Sequence, residues 1–502
     1  MAAPARMASY RAPVMGWNTV DGYDGMKMGY AVTLDNFFPD GTKCRMRGGY
    51  VSFCDTATGD PVKTLIEYTG PTASKLIAAS DGDLYEISTG TPATLDTGFA
   101  SDVWEGENFS TAGGSFLILA NGEDDAQQYD GTNLTALGET GPTNKIHSPT
   151  AFTERMFYAE VDTLSVWYSA AGAYTGALTE FNVGALCSQG GQIAALGTWT
   201  KQNASLGSNE LFVIITTGGE ILVYQGTDPS VAADWSIVGR FVVGKPVSGR
   251  RCVRRVGSDM VLLCEDGYQT LSKYLPLGRS QSESTGISNK ISPTAVESVA
   301  ATGTVFGWTI LDYPRGSALI VNVPLEASGL YDQHVVNTNT GAWCRYRNIP
   351  ALCWSLMDGA PYFGASDGRV WKFDTGTGDN GTDICAEMIP AFQMIGKNGL
   401  QKHFMMARPH LATSQQIVYS MGLSLDYVLP SDLATISSNP SSPAVWDDAV
   451  WDVSTWAGGS LTQQRNWATV SGFGFAAAPH VKFATHTTEV EISGFDVTYE
   501  QG

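Results

Sequence analysis

The sequence predicts an all-β protein: a β-propeller of about seven blade-like units, with a smaller C-terminal β-domain and an extended N-terminal segment. Three observations lead to this fold class. Hardly any stretch of the chain places apolar side chains at a helical spacing. Short apolar runs end repeatedly in glycine-containing turns, and the chain has 56 glycines among its 502 residues. These turns recur at intervals of roughly 40 to 50 residues, which is typical of propeller blades.

The turns are of the kind that closes a tight β-hairpin. Asn-Gly, Asp-Gly and Gly-Gly pairs supply the positive φ angles that two-residue turns need. The interval from Gly82 to Gly122 is 40 residues, and the interval from Gly219 to Gly267 is 48 residues. Because one such unit cannot bury both of its faces, the units are expected to stack around an axis. The predicted turns are Asp81-Gly82, Asn121-Gly122, Asp162, Gly218-Gly219, Asp266-Gly267 and Asp367-Gly368.

Changes in this pattern predict three regions. Residues 1–55 are rich in Gly and Met and are expected to form an extended docking segment. Residues 56–390 carry the hairpin repeat and form the propeller, which a polar loop at 278–294 interrupts. Residues 391–502 lose the repeat and then alternate again, which predicts a separate β-domain. No helix longer than about ten residues is expected.

A tryptophan repeat lies in the C-terminal region. The stretch AVWDDAVWDVSTW places Trp446, Trp451 and Trp456 five residues apart. This spacing fits neither one face of a helix nor one face of a strand. The repeat therefore predicts either an aromatic cluster beneath irregular loops or an exposed platform for a sugar ring or a partner chain.

One basic cluster stands out in an acidic chain. The stretch GRRCVRRVG carries Arg250, Arg251, Arg254 and Arg255. We consider three placements for them: a boundary between subunits, where they would meet acidic neighbours; a channel, where they would contact nucleic acid phosphate; and a solvated edge strand that their charge protects.

The net charge, the apolar runs and the cysteines argue against several classes of protein. A formal net charge of −20 and a pI of about 4.6 speak against tight wrapping of a nucleic acid. No apolar run reaches the length of a membrane-spanning helix, and the N-terminus lacks the apolar core of a secretory signal. The eight scattered cysteines are expected to be reduced thiols, as in a cytoplasm.

The sequence predicts that the protein is not an enzyme and has no cofactor. It contains no GxSxG, Walker or HExxH motif. Asp124 and Asp125 are conceivable as the acid/base pair of a hydrolase, although charged turns are commonly just solvated. The loop FDTGTGDNGTD matches the letters GxGxxG, but no helix pattern follows it. Its carboxylates, Asp374, Asp379 and Asp383, are candidate Ca²⁺ ligands.

Several stretches resemble a known family. The lead-in contains LDNFFP followed by RMRGGY, which is similar to the opening of tail proteins of short-tailed bacteriophages. NTNTGAW at 337–343 and the hairpin YFGASDGRVWKFD resemble the propeller of podovirus-type tail nozzle, or tail tubular, proteins. The tryptophan repeat and the ending GFDVTYEQG resemble them as well.

This resemblance implies a structural virion protein: a ring, expected to be a hexamer, at the distal end of a short tail. The ring would continue the DNA channel below a tail adaptor ring, contact fibre, spike or needle proteins, and serve genome retention and ejection without binding DNA tightly. It would be assembled in the bacterial cytoplasm. The alternatives are a glycan-binding tail or surface propeller that uses Trp446, Trp451 and Trp456, and a propeller hydrolase.

Overall fold

A computed structural model describes residues 5–203, 207–274, 287–325, 329–397, 399–430, 433–437, 462–464 and 466–501. Forty strands dominate the described chain, and the predicted all-β propeller is confirmed. The N-terminal strands are β1 (Arg6–Arg11), β2 (Gly16–Trp17), β3 (Tyr30–Asp35), β4 (Phe37–Asp40), β5 (Lys43–Met46) and β6 (Tyr50–Asp55).

Four four-stranded antiparallel sheets follow, one for each of blades 1 to 4. Their strands are β7 (Thr64–Thr69), β8 (Ser74–Ser80), β9 (Asp83–Glu86), β10 (Ala93–Asp96), β11 (Glu105–Thr111), β12 (Gly114–Ala120), β13 (Gln127–Tyr129), β14 (Leu134–Ala136), β15 (Ile146–Phe152), β16 (Arg155–Glu160), β17 (Ser165–Tyr168), β18 (Thr179–Asn182), β19 (Ile193–Asn203), β20 (Gly207–Thr216), β21 (Glu220–Gln225) and β22 (Ser236–Val242). A 3₁₀ turn, Gly184–Leu186, lies between blades 3 and 4.

Blade 5 has three strands in the described chain, and blades 6 and 7 follow a helix. The strands are β23 (Val253–Val256), β24 (Asp259–Cys264), β25 (Gly267–Thr270), β26 (Thr309–Tyr313), β27 (Ala318–Pro324), β28 (Tyr331–Asn337), β29 (Trp343–Arg347), β30 (Cys353–Met357), β31 (Ala360–Gly364) and β32 (Arg369–Phe373). The helices are α1 (Leu271–Tyr274) and α2 (Ser292–Thr302), with a 3₁₀ turn at Pro314–Gly316.

The seven blades close into a ring around one axis. The innermost strands β7, β11, β15, β19, β23, β26 and β30 each contact the next, and β30 returns to β7. The N-terminal strand β6 pairs with β32 and completes blade 7, and this pairing closes the ring. Such closure leaves only short free strand edges, which limits pairing with other chains.

The hairpin turn at Asp81-Gly82 has the predicted geometry. Asp81 and Gly82 both have positive φ, 56° and 75°, and they lie between the paired residues Ser80 and Asp83. This is the backbone conformation of a type I′ turn, which favours Asp-Gly because glycine meets no steric cost there.

A β-sandwich adjoins the propeller. Its C-terminal strands are β33 (Ile384–Pro390), β34 (Lys402–Thr413), β35 (Val418–Leu425), β36 (Ala434–Ser437), β37 (Thr462–Gln464), β38 (Ala468–Gly474), β39 (Ala477–Thr485) and β40 (Val490–Gln501). One sheet joins β1, β4 and β5 to β34, β37, β38 and β40, and the other is a ten-stranded sheet that runs from blade 6 through β2 and β3 to β36. The outer strand of blade 6 is thus continuous with the sandwich.

Burial follows these layers. β34 alternates buried and half-buried residues, as expected of a strand with one face on a core. Every residue of β27 is buried because both faces of blade 6 are covered. Between the sandwich sheets, the rings of Phe37 and Phe483 meet edge to face with centroids 5.8 Å apart. Such pairs fill the core that both ends of the chain share.

Polar side chains hold the N-terminal segment against both the propeller and the sandwich. Asp35 accepts two hydrogen bonds of 2.8 Å from the Arg345 guanidinium in blade 6. The Arg47 guanidinium donates to both carboxylate oxygens of Asp379, at 2.8 and 2.7 Å, and both side chains are buried. Gly49 packs so closely that a Cβ would lie 2.0 Å from the carbonyl oxygen of Gly378. The LDNFFP and RMRGGY stretches therefore form the junction between propeller and sandwich.

A second network ties β1 to the C-terminal strands. The buried Asp496 carboxylate accepts hydrogen bonds from Ser9 Oγ at 2.6 Å, Arg408 Nε at 2.8 Å and His410 Nε2 at 2.9 Å. Burial opposes ionisation of this carboxyl, but the bonds from His410, Ser9 and Arg408 outweigh it and lower the pKa of Asp496 to about 2.

The helix α2 departs from the prediction, because it has 11 residues and begins inside the stretch predicted as a polar loop. Its buried residues, Ala295, Val299 and Thr302, follow a helical spacing, but two of them are small or polar and give a weak hydrophobic signal. No helix in the described part of the chain has the length and apolar run that a membrane crossing requires.

Candidate functional site

Two cavities lie along the propeller axis. The first, which we name the upper cavity, has a volume of about 710 Å³ and lies where the inner strands β15, β19 and β23 begin. The second, the axial chamber, has a volume of about 630 Å³ and is lined by all seven inner strands. Both volumes fall in the range of small-ligand sites.

The upper cavity combines apolar side chains with two cationic side chains and the Glu265 carboxylate. Helix α2 contributes Val296, Val299 and Ala300 to its lining, and Val296 is exposed. Lys245 and Arg250 supply positive charge on the segment before β23. The other lining residues are His147, Val161, Gln192, Ile193, Ala194, Thr217, Pro246, Val247, Ser248, Gly249, Glu265, Gly303 and Thr304.

Arg250 lines both cavities and Arg251 lines the axial chamber beside it, and both side chains reach across the ring. Arg250 donates to the backbone carbonyl of Asn121 in blade 2. Arg251 donates to Lys63 O at 2.8 Å and to Thr64 Oγ1 at 2.7 Å in blade 1. It also donates to Trp104 O at 3.0 Å, and burial lowers the pKa of its guanidinium. These residues separate the upper cavity from the axial chamber.

Arg254 and Arg255 lie in the axial chamber on the innermost strand of blade 5. β23 is the end strand of its three-stranded sheet and borders the chamber, and Arg254 and Arg255 are both exposed, so an edge strand protected by charge stays a prediction. Arg255 pairs with Glu210 of blade 4 at 3.2 Å. Three of the four arginines thus bond to other blades of their own chain, whereas contact with a second subunit stays a prediction.

Sequence reasoning missed the carboxyl groups of the chamber. Glu105 Oε2 accepts hydrogen bonds from the backbone N–H of Ser148 at 2.7 Å and from its hydroxyl at 3.0 Å. Its other oxygen, Oε1, is buried without a hydrogen-bond partner in the described chain. Burial raises the pKa of Glu107 to about 7, although the nearby Arg254 charge opposes the shift. These glutamates stand in an ordinary-looking strand, EGENFST, which carries no motif.

The side chains of Ser148, His147 and Glu105 lie together but are not arranged for catalysis. Ser148 Oγ is 3.2 Å from His147 Nδ1, yet its hydroxyl donates to Glu105. Burial, with the Arg250 charge, lowers the pKa of His147 to about 3. A histidine with such a pKa is a poor general base near neutral pH, and Glu105 approaches the same ring nitrogen as the serine.

The other predicted site residues do not converge. Asp124 caps the backbone N–H groups of Ala100 and Ser101, and Asp125 pairs with Lys145. The candidate Ca²⁺ ligands have separate partners: Tyr313 for Asp374, Arg47 for Asp379 and His486 for Asp383. Within the described residues, no group of three or more His, Cys, Asp or Glu side chains is placed to hold a metal. Trp446, Trp451 and Trp456 lie outside the described residues.

The ring and its axial cavities define the chain as a seven-bladed β-propeller protein with a β-sandwich joined to blade 6. No family model matches the chain, and no curated protein matches it. It is similar to two crystal structures of BBS1N in complex with ARL6DN, one soaked with lead and one with mercury. Both are 12% identical and cover 66% of this chain and 99% of that chain, with TM-scores of 0.40 and 0.41.

The prediction of a podovirus-type tail nozzle is wrong. Two solved structures to which the chain is similar are of BBS1N with ARL6DN, and neither is of a virion protein. The expected hexameric ring, the adaptor, fibre, spike and needle partners, and the passage of DNA depended on that resemblance and are withdrawn with it. The β-propeller itself remains, because it follows from the chain's own strand pairing.

Proposed function

We propose that this chain is a non-enzymatic recognition protein, whose propeller binds an apolar segment of a partner protein that carries an acidic side chain. The observation that carries this proposal is the upper cavity, in which an apolar wall from α2 faces the positive charges of Lys245 and Arg250. An acidic group would meet the cations, while the apolar part would cover Val296 and Ala300.

The chemistry around the axis supports a binding role over a hydrolytic one. His147 is buried and has a pKa of about 3, lowered by burial and by Arg250, so its ring is neutral near neutral pH and does not serve as a general acid. The Ser148 hydroxyl is committed to Glu105. The glycan-binding alternative depends on Trp446, Trp451 and Trp456, which lie outside the described residues.

A displayed random-peptide selection against the full chain tests the proposal. We expect enriched peptides to combine Asp or Glu with apolar residues, and to bind the upper cavity. Ala300→Trp should fill the cavity and weaken binding at least about tenfold. Ala301→Trp is the matched control, because the neighbouring alanine is exposed on the same helix and does not line the cavity.

Charge reversal gives an independent measurement. Lys245→Glu should weaken the selected peptides, whereas Lys27→Glu, at an exposed lysine of the N-terminal segment, should not. Selection of no peptide, or equal binding by the Ala300→Trp and Ala301→Trp variants, would contradict the proposed function.

A further inference from the structure

Arg254 differs from the other three arginines of its cluster. Arg250, Arg251 and Arg255 all donate hydrogen bonds to other residues of the chain. Arg254 lines the axial chamber and is exposed, and within the described residues it has neither an ion pair nor a side-chain hydrogen bond. An unpaired guanidinium in a chamber inside a ring of strands is a strong donor without an acceptor.

The carboxyl groups around Arg254 do not neutralise it by direct contact. Glu107 lies on the inner strand of blade 2 and Asp312 on that of blade 6, and both feel the Arg254 charge. Burial raises the pKa of both carboxyl groups, to about 7 for Glu107. Near neutral pH Glu107 therefore carries a proton on about half of the molecules, and a protonated carboxyl is a hydrogen-bond donor.

We propose that the axial chamber binds a small oxyanion, a carboxylate or a phosphate-like group, on the Arg254 guanidinium. The planar fork of arginine matches such groups with two parallel hydrogen bonds. The volume of about 630 Å³ accommodates a small molecule. Since Arg250 and Arg251 lie at the end shared with the upper cavity, the ligand enters from the opposite end, where Arg254 and Arg255 are exposed.

Binding is linked to protonation of Glu107. The charged groups that face it are Arg254 and Arg255 of blade 5 and Glu210 of blade 4. Glu67 and Glu105 line the same chamber from blades 1 and 2, and Asp312 of blade 6 feels the Arg254 charge. An anion beside Glu107 favours the neutral carboxyl, so the affinity falls as pH rises through 7. If the anion binds only to the chain with protonated Glu107, its affinity falls about tenfold from pH 6 to pH 8.

Isothermal titration calorimetry of the full chain with sulfate and with succinate tests this inference. Sulfate keeps its charge between pH 6 and pH 8, and succinate only becomes more negative, which would not weaken its binding to a cation, so a fall in affinity with rising pH reports on the protein. Binding of sulfate alone would identify a phosphate-like ligand, and binding of succinate alone would identify a carboxylate. Absence of binding by both probes, or an affinity that does not fall with rising pH, would overturn the proposal.

Three variants make the assignment specific. Arg254→Gln should abolish binding, and because the Arg254 side chain makes no hydrogen bond or ion pair within the described residues, its thermal unfolding should stay close to that of the parent chain. Arg369→Gln, which removes an exposed guanidinium of blade 7, is the matched control and should bind normally. Glu107→Gln should retain binding and lose the pH dependence. Equal affinity of the Arg254→Gln and Arg369→Gln variants would refute the assignment.

Discussion

Removal of the Asp379 carboxylate should loosen the junction between propeller and sandwich far more than removal of a surface carboxylate. All five N–H donors of Arg47 are used: two go to Asp379, and the others go to Asn36 Oδ1 at 2.9 Å, Gly48 O at 3.0 Å and Arg347 O at 3.3 Å. The Arg47 side chain is only 1% exposed. Asp379→Ala would leave a buried charge without its counterion, which costs about 3–5 kcal/mol.

The matched control is the Arg369–Asp55 pair of blade 7. Its closest N–O distance is 3.4 Å, and the two side chains are 48% and 53% exposed. Since solvent screens such a pair, Asp55→Ala should cost about 0–1 kcal/mol. The double variant Arg47→Met with Asp379→Leu removes both charges at once and should recover much of the loss.

Native-state hydrogen exchange, followed by mass spectrometry, is the suitable assay because a chain with two units need not unfold in one step. Peptides covering residues 43–49 and 374–383 report the free energy of opening at the junction. We expect faster exchange there in Asp379→Ala and unchanged exchange in Asp55→Ala. If the free energy of opening at the junction falls no more in Asp379→Ala than in Asp55→Ala, the view that this ion pair stabilises the junction is refuted.

Three further predictions concern stability and thiol reactivity. Asp496 has a pKa of about 2 because the hydrogen bonds from His410, Ser9 and Arg408 outweigh the effect of its burial. Its contribution to the free energy of unfolding is therefore present above its unfolded pKa near 4 and is lost as pH falls through 2. Over that pH range the Asp496→Asn variant should therefore lose roughly 2 kcal/mol less unfolding free energy than the parent chain. An equal loss in both chains would contradict this. Gly49→Ala should cost about 1–3 kcal/mol in urea unfolding because its Cβ meets the Gly378 backbone, whereas Gly25→Ala, whose nearest neighbour is 4.0 Å away, should be neutral. None of the eight cysteines forms a disulfide, and Cys385 is exposed. A thiol reagent should therefore modify Cys385 first in the native chain and all eight after denaturation, and a lower final count would contradict this.

The sequence was sufficient for the blades because each blade is a local structure. The alternation of strands and the Asp-Gly turns act over a few residues, so Asp81-Gly82 could be placed as a turn without knowledge of the fold. The closing strand β6 could not be found in this way, because its partner β32 lies some 300 residues away and leaves no local signal. The same holds for the sheet that connects blade 6 to the sandwich.

The candidate sites were predictable only in part. The density of positive charge identified Arg250 to Arg255, but their positions on an inner strand depend on the ring, which a local pattern does not specify. Glu107 becomes unusual only through its burial in the axial chamber, which raises its pKa against the opposing charge of Arg254. The upper cavity was missed for a similar reason, since α2 presents small residues to it.

The stretches that suggested a tail protein have structural tasks, which explains how a resemblance of sequence led to a wrong function. Asn36, in LDNFFP, has a φ of 57° and accepts a hydrogen bond from Arg47 of RMRGGY. Asn337, in NTNTGAW, accepts hydrogen bonds from the backbone N–H groups of the turn that follows it. These residues stabilise the turns and the junction between the propeller and the sandwich. Such motifs indicate how the chain is built, whereas its function has to be argued from the cavities on the axis.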